Sequence, residues 1–321
     1  GVYRFRVING CSSRTLTLSF GDPAITFDLI GVEGGLLAAP ATLTQVTLSP
    51  AERADIIIDF SALAPGAEVI LHNSAAAPYP NGDPMHALPD IMKFVVVGQP
   101  GAAFITPPSL SAIAPLDPSH AMASRDFTLA KTQDPCAGSI WLINGMHWDH
   151  ISERPRLNSI ETWRFLNSSG VTHPMHMHLV FFQVLGRNEY LGQDQNMQPI
   201  IGAPLPLRPT EGGWKDTVQV GPGEAVTVIA RFEDYLGLYP YHCHILEHED
   251  HEMMRQFEVV PACLGDSNGD GLVDFNDINT TIANWLNDYT PGTGPGDANA
   301  DGVVGFDDIT ETIANWLGPC P

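Results

Sequence analysis

The sequence predicts a mostly β protein built from β-sandwiches, with a small α-helical module at the end of the chain. Three observations predict this. Residues 1–98 and 125–261 carry short alternating or β-branched runs broken by Gly and Pro. Residues 99–124, rich in Pro and Ala with little periodicity, read as a linker between them. Residues 262–321 leave the strand pattern for a duplicated acidic loop, each copy followed by apolar residues at helical spacing.

The strands can be taken in order. The chain begins with the alternating run Val2-Tyr3-Arg4-Phe5-Arg6-Val7, a strand already in progress, with no Met and no signal sequence. A truncated chain is expected, so the missing signal says nothing of the compartment. Leu16, Leu18 and Phe20 alternate with polar residues, and Ala54–Phe60 and Ile91–Val97 are further strands. After the linker the pattern resumes at Phe127-Thr128-Leu129 and continues through Thr162–Leu166 and Ala225–Ala230. With 44% hydrophobic and 16% charged residues, the 321-residue chain can bury a core in two or three domains. No apolar run is long enough to span a membrane.

The net charge of −22 argues against nucleic acid and anionic membrane surfaces as partners. The acid is uneven: from Ala262 onward there are ten Asp or Glu and no Lys, Arg or His. Such a segment repels itself unless it is disordered or carries cations. Of the five cysteines, Cys243 sits between histidines and reads as a metal ligand. Cys263 and Cys320 flank the acidic tail and form the preferred bridge. Cys11 with Cys136 follows by elimination, with free buried thiols the equal alternative. Bridges would imply an oxidising, extracytoplasmic compartment.

Two histidine clusters carry the chemistry. The first is His173-Pro-Met-His176-Met-His178; the second is His242-Cys243-His244-Ile-Leu-Glu-His248, ending at Met253. On an extended chain residues two apart share a face. His176 and His178 then point together, as do His242 and His244, while Cys243 points the opposite way. One strand would hold a thiolate-bound metal on one face and imidazole-bound metals on the other, as a relay for single electrons requires. One thiolate, two imidazoles and a weak thioether select copper, and Cys243, His173, His248 and Met253 supply that set. For His72, His86, His120, His147, His150 and His251 an ordinary surface or core role is preferred.

These clusters resemble the last two copper-binding motifs of the multicopper oxidases, most of all the bacterial spore-coat laccase and bilirubin oxidase group. The resemblance covers about Val2 to Val260. It includes Arg4–Asn9, Ser49–Asp55, Gly213–Thr217 and His244–Asp250. It implies Greek-key cupredoxin domains, the middle one partial (1–98) and the last complete (125–261). It implies that His173, Cys243, His248 and Met253 bind the type 1 copper, His176 the type 2 copper, and His178, His242 and His244 the type 3 pair. In the family a reducing substrate gives electrons to type 1 copper across the edge of the residue at the position of His248. They pass through Cys243 to the cluster that reduces dioxygen to water. Glu249 matches an acid thought to deliver protons, or is a salt-bridging surface residue. The family uses eight cluster histidines, half from a first domain, and no further His-x-His motif occurs here. A fragment, or ligands from another chain, is expected. A type 1 electron-transfer protein and a scaffold-anchored copper-binding module are the competing readings.

The tail repeat places Asp266, Asn268, Asp270, Asp274 and Asp277 in one loop. Asp297, Asn299, Asp301 and Asp308 stand in the other, offset by 31, with Gly305 at its ninth position. Oxygens at positions one, three, five and twelve with Gly at six suit a hard cation such as calcium. The helical stretches Ile278–Leu286 and Ile309–Leu317 follow. The arrangement resembles a type I dockerin, an EF-hand-like module, which implies two calcium ions and a cohesin-like scaffold protein as partner. The positions that read such a partner hold Phe275-Asn276 and Phe306-Asp307, and the usual basic pair is missing, so calcium is the firmer of the two expectations.

Overall fold

The computed structural model describes the chain apart from residues 87, 99–100, 102, 137, 262, 290–293 and 318–321, and the side chain of His86. The first eight strands are β1 (Val2–Ile8), β2 (Leu16–Phe20), β3 (Phe27–Val32), β4 (Gly35–Leu43), β5 (Gln45–Leu48), β6 (Arg53–Asp59), β7 (Glu68–Asn73) and β8 (Asp90–Val95). They form two four-stranded sheets, ordered β1-β6-β3-β4 and β5-β2-β7-β8. Alternation explains their facing. In β6, Ala54, Ile56 and Ile58 enter a core shared with Leu18, Phe27 and Val46, while Asp55 meets Arg4 across the sheet.

The second sandwich contains β9 (Ala121–Asp134), β10 (Gly138–Ile143), β11 (Ile160–Asn167), β12 (His173–Met177) and β13 (Phe182–Gln193). It continues with β14 (Pro199–Leu205), β15 (Thr217–Val220), β16 (Glu224–Arg231), β17 (Gly237–Cys243) and β18 (Met254–Val259). A six-stranded sheet, β10-β9-β11-β16-β13-β14, faces a four-stranded one, β15-β12-β17-β18. Their inner faces meet around the fully buried Phe127, Trp163, Phe165 and Phe257. A single-turn helix, α1 (Leu246–Glu249), leaves the end of β17. The linker crosses both bodies: Leu110 donates to the carbonyl of Ala38, and Leu116 to the side chain of Gln183.

The two sandwiches meet through charge. Lys215, fully buried, donates to Glu33 at 2.6 Å and lies 3.4 Å from Glu52. Gln219 also reaches Glu52, and Arg53 forms a two-pronged pair with Asp216 at 2.8 and 2.6 Å. Burial alone would lower the Lys215 ammonium, but the two carboxylates outweigh it and hold the group charged.

In the tail, α2 (Phe275–Ala283) and α3 (Phe306–Ala314) each start and end three residues earlier than the helical spacing suggests. The Asp274 side chain accepts from the amide of Asn276, and Asp277 accepts from the Asp274 amide, so the helix opens at Phe275. Leu286 and Leu317 take positive φ of 65° and 54°, which the helix cannot continue through. The copies pair reciprocally: Leu286 donates to Val304 and Leu317 to Val273. Thr281 donates to Gly296 and Thr312 to Gly265, again offset by 31.

Cys263 is disulfide-bonded, while Cys320, its expected partner, lies outside the described residues. The expected Cys11–Cys136 bridge is absent, and both are free thiols, Cys136 exposed. Elimination carries no geometry, and a bridge needs Cα atoms within about 7 Å. Among the described residues no helix is long and apolar enough to cross a membrane.

Candidate metal centre

Strands β12 and β17 pair antiparallel, with Met175 opposite Cys243, His176 opposite His242 and Met177 opposite Tyr241. The strand period of two then sorts the donors. Met175, Met177, Tyr241 and Cys243 enter the core, and His176 and His242 face the other way. Two groups of possible metal ligands result, one on each face.

On the inner face His173, Cys243 and His248 converge. Cys243 Sγ lies 3.5 Å from His173 Nδ1 and 3.7 Å from His248 Nδ1, and the two nitrogens are 3.3 Å apart. Three donors each about 2.0–2.3 Å from a common centre need spacings of this size, so the trio fits one ion without rearrangement. Met253, fully buried in the same core, is tied to both neighbours: its amide donates to His248 and its carbonyl accepts from Cys243. Burial pushes the Cys243 thiol up to about 12, so the pocket holds a neutral thiol until a cation displaces its proton. It also lowers His173 to about 3 and His248 to about 4, which keeps both lone pairs available.

Ser169 is a partner that spacing alone does not reveal. Its Oγ lies 2.8 Å from His173 Nε2, which turns Nδ1 toward Cys243. Trp141 is another: its ring centroid is 4.2 Å from that of His248 and 5.0 Å from that of His173. The residues from Arg187 to Gly213 do not line the cavity beside His248. Arg187 and Glu211 are instead buried in an ion network with Glu224. That cavity, about 350 Å³, is bounded by Arg14, Pro78, Tyr79, Thr172 and Glu247.

On the outer face His176, His178 and His242 come together, with the Nε2 atoms of His178 and His242 3.3 Å apart. His176 Nδ1 donates to the carbonyl of Asp216, and His242 Nδ1 to that of Cys243, so each Nε2 keeps its lone pair. The His244 ring stands 5.3 Å from that of His242 and 5.7 Å from that of His176. Burial lowers His242 to about 4, and His178 and His244 are lowered for the same reason. Burial would raise Asp216, but hydrogen bonds with His176 and Arg53 hold its carboxyl well below the usual range. Glu249 ends α1 half-buried, its carboxyl raised by burial and then by Asp250.

The tail donors fall into two matched loops. Asp266, Asp277, Asp297 and Asp308 are buried, and Asp270 and Asp301 are exposed. Asp277 accepts from the amide of Asn268, as Asp308 does from Asn299. The Asp274 side chain is taken up in capping α2. Among the other histidines, His72 pairs with Asp90, His147 with Glu252, and His120 meets Tyr289 edge to face.

Known proteins agree with this geometry. Residues 118–262 match the multicopper oxidase family. The chain is 38% identical over 269 residues to a laccase of Bacillus stratosphericus, covering 80% of this chain and 51% of that protein. It is 39% identical over 266 residues to a laccase of Bacillus subtilis strain 168, covering 80% and 50%. The crystal structure of the McoA multicopper oxidase of Aquifex aeolicus superposes with a TM-score of 0.67 at 30% identity, covering 80% of this chain and 55% of that one. The chain thus spans about half the length of the curated relatives it matches. In sequence and in its cupredoxin-like fold the chain resembles the multicopper oxidases, and it matches that family over residues 118–262.

Proposed function

We propose that the chain is part of a laccase-like oxidase that passes electrons from a phenolic, aromatic or metal-ion donor to dioxygen. The observation that carries this reading is Cys243: its thiol joins His173 and His248 inside the core, while the adjoining His242 belongs to the imidazole group outside. His173, Cys243, His248 and Met253 would hold type 1 copper; His176 would serve type 2 copper, and His178, His242 and His244 the type 3 pair. Bound copper would supply one-electron chemistry at the first group and four-electron reduction of dioxygen to water at the second. The protein's own part is to keep the imidazoles neutral and to fix their tautomers through Ser169, Asp216 and the Cys243 carbonyl. It also presents His248 to a cavity that suits a small donor. Glu249, raised and half-buried, is the candidate proton source.

Four cluster imidazoles are present of the eight this reading calls for. The rest would come from a further segment or another chain, so this chain alone is expected to lack normal dioxygen reduction. Two measurements test the reading. The chain loaded with cupric ion should develop an intense visible thiolate-to-copper band that disappears in Cys243→Ser. Its oxygen uptake with a phenolic donor should stay negligible until the missing ligands are supplied. A folded, copper-loaded chain without the band would overturn the assignment, and robust four-electron reduction by the monomer would show the cluster to be misassigned.

We further propose four segments, 1–98, 99–124, 125–261 and 262–321, the last a dockerin-like module binding two calcium ions and docking a cohesin-like scaffold protein outside the cytoplasm. The support is the 31-residue repeat of Asp266, Asn268, Asp270 and Asp277 as Asp297, Asn299, Asp301 and Asp308, the matched bonding of the copies, and the disulfide at Cys263. The loop with Gly305, one carboxylate poorer, should be the weaker site. Calorimetric titration of the whole chain decides it: no calcium uptake at millimolar concentration leaves the segment an acidic linker.

A further inference from the structure

Trp141 lies on β10 directly opposite Lys131 of β9, whose ammonium sits 5.4 Å from the centre of the indole ring. Its amide donates to the carbonyl of His251 at 3.0 Å, which ties the strand to the chain just beyond α1. The indole is tilted only 30° from the His248 ring at a centroid separation of 4.2 Å, and meets His173 edge to face, at 70° and 5.0 Å. One side chain therefore touches both imidazoles of the inner group. The cavity beside His248 is bounded by Pro78, Tyr79 and Thr172, and Trp141 is not among its walls. His248 consequently has one side covered by indole and another open to the cavity.

We propose that Trp141 is a positioning residue for this group: it covers His248 and His173 on the side away from the cavity, holding both rings in the ligating orientation and leaving the cavity-facing edge of His248 as the way in for an electron donor. The role rests on the copper reading above, and the physical reasons are separable from it. A half-buried imidazole on a single-turn helix has few contacts to fix its torsions, and a flat aromatic surface in near-parallel contact supplies that restraint. Loss of a hydrogen-bonded partner of a metal-binding histidine typically costs about 10–100-fold in metal affinity, and loss of a packed ring that restrains the same torsions should act in the same direction.

The test compares wild type, Trp141→Phe and Trp141→Ala in the whole chain with two readouts. In metal-free protein, carbethoxylation of His248 is followed by mass spectrometry against the exposed His147 as internal reference. Trp141→Ala should accelerate modification of His248 several-fold, and Trp141→Phe, which keeps an aromatic face, should remain close to wild type. In protein loaded with cupric ion, Trp141→Ala should weaken retention at the Cys243 group about tenfold or more and shift the visible band, and phenylalanine should restore both. A role in packing alone would lower the melting temperature without changing the band or the relative modification rate. Unchanged modification, retention and band in Trp141→Ala would overturn the proposal. A wild-type chain that takes up no cupric ion would overturn the copper reading, and the carbethoxylation comparison would still decide whether Trp141 covers His248.

Discussion

The two faces of β17 carry different ligands, a thiol inside and an imidazole outside, and are built in opposite ways. The inner group, His173, Cys243 and His248, takes its ligands and orienting partners from the second sandwich, the first adding only the far wall of the cavity beside His248: Met175, Phe127 and Trp163 fill the core beside it, and Ser169 and Trp141 orient its rings. The outer group, His176, His178 and His242, lies where the second sandwich meets the first. The orientation of His176 depends on Asp216, which Arg53 of the first sandwich grips. A site closed by its own core is preformed. A site at a seam inherits the seam's stability and has room for ligands from elsewhere.

The largest expected effect separates the faces outright. Cys243→Ser should abolish the visible thiolate band, and His242→Ala should leave it nearly intact, as absorption spectra of the copper-loaded chain will report. Equal loss in both variants would mean that the faces are not independent. Next in size is the seam. Lys215→Met strands Glu33 and Glu52 in a buried interface without their cation, at a cost of about 3–5 kcal/mol by chemical denaturation at neutral pH. A neutral result would show that the seam is hydrated.

Arg53→Ala should act on the outer face alone. With Asp216 released, cupric ion held by His176 and its neighbours should be lost about 10–100-fold more readily, while the thiolate band keeps its intensity. Equilibrium dialysis combined with the spectrum measures both. The last effect is acid sensitivity of the metal-free chain. His173, His242 and His248 are held at about 3, 4 and 4, below the 6.5 expected in the unfolded chain. The unfolded state therefore binds protons first, so the stability from these groups is complete above about pH 6.5 and drains away as the pH falls toward 4. Melting temperatures measured from pH 7 to pH 4 should decline, and His173→Phe should flatten the slope.

What the sequence disclosed depended on how local the cause was. The histidine clusters were legible because a period of two is a property of one strand, and the pairing of Met175 with Cys243 preserves it. The capping pattern Asp274-Phe-Asn-Asp277 was also present and would have started α2 at Phe275. Ser169, four residues before His173, carries no signal of its own, since a serine in a turn commonly bonds backbone instead. Arg53 and Asp216 are 163 positions apart, and Trp141 precedes His248 by more than a hundred. Those partnerships arise only when sheets pack. The Cys11–Cys136 pairing failed for the same reason, because counting cysteines does not bring them near each other.

The pairing of β12 with β17 gives this stretch a reading frame of its own. One residue inserted between Tyr239 and Cys243 leaves the strand two outcomes: a bulge, or a slip by one that turns the thiol toward the seam and an imidazole into the apolar core. A two-residue insertion restores the faces yet carries Cys243 about 6.8 Å along the strand, past His173 and His248. Length variation in this lineage should therefore collect before Gly237 and beyond Val259, and be purged between them.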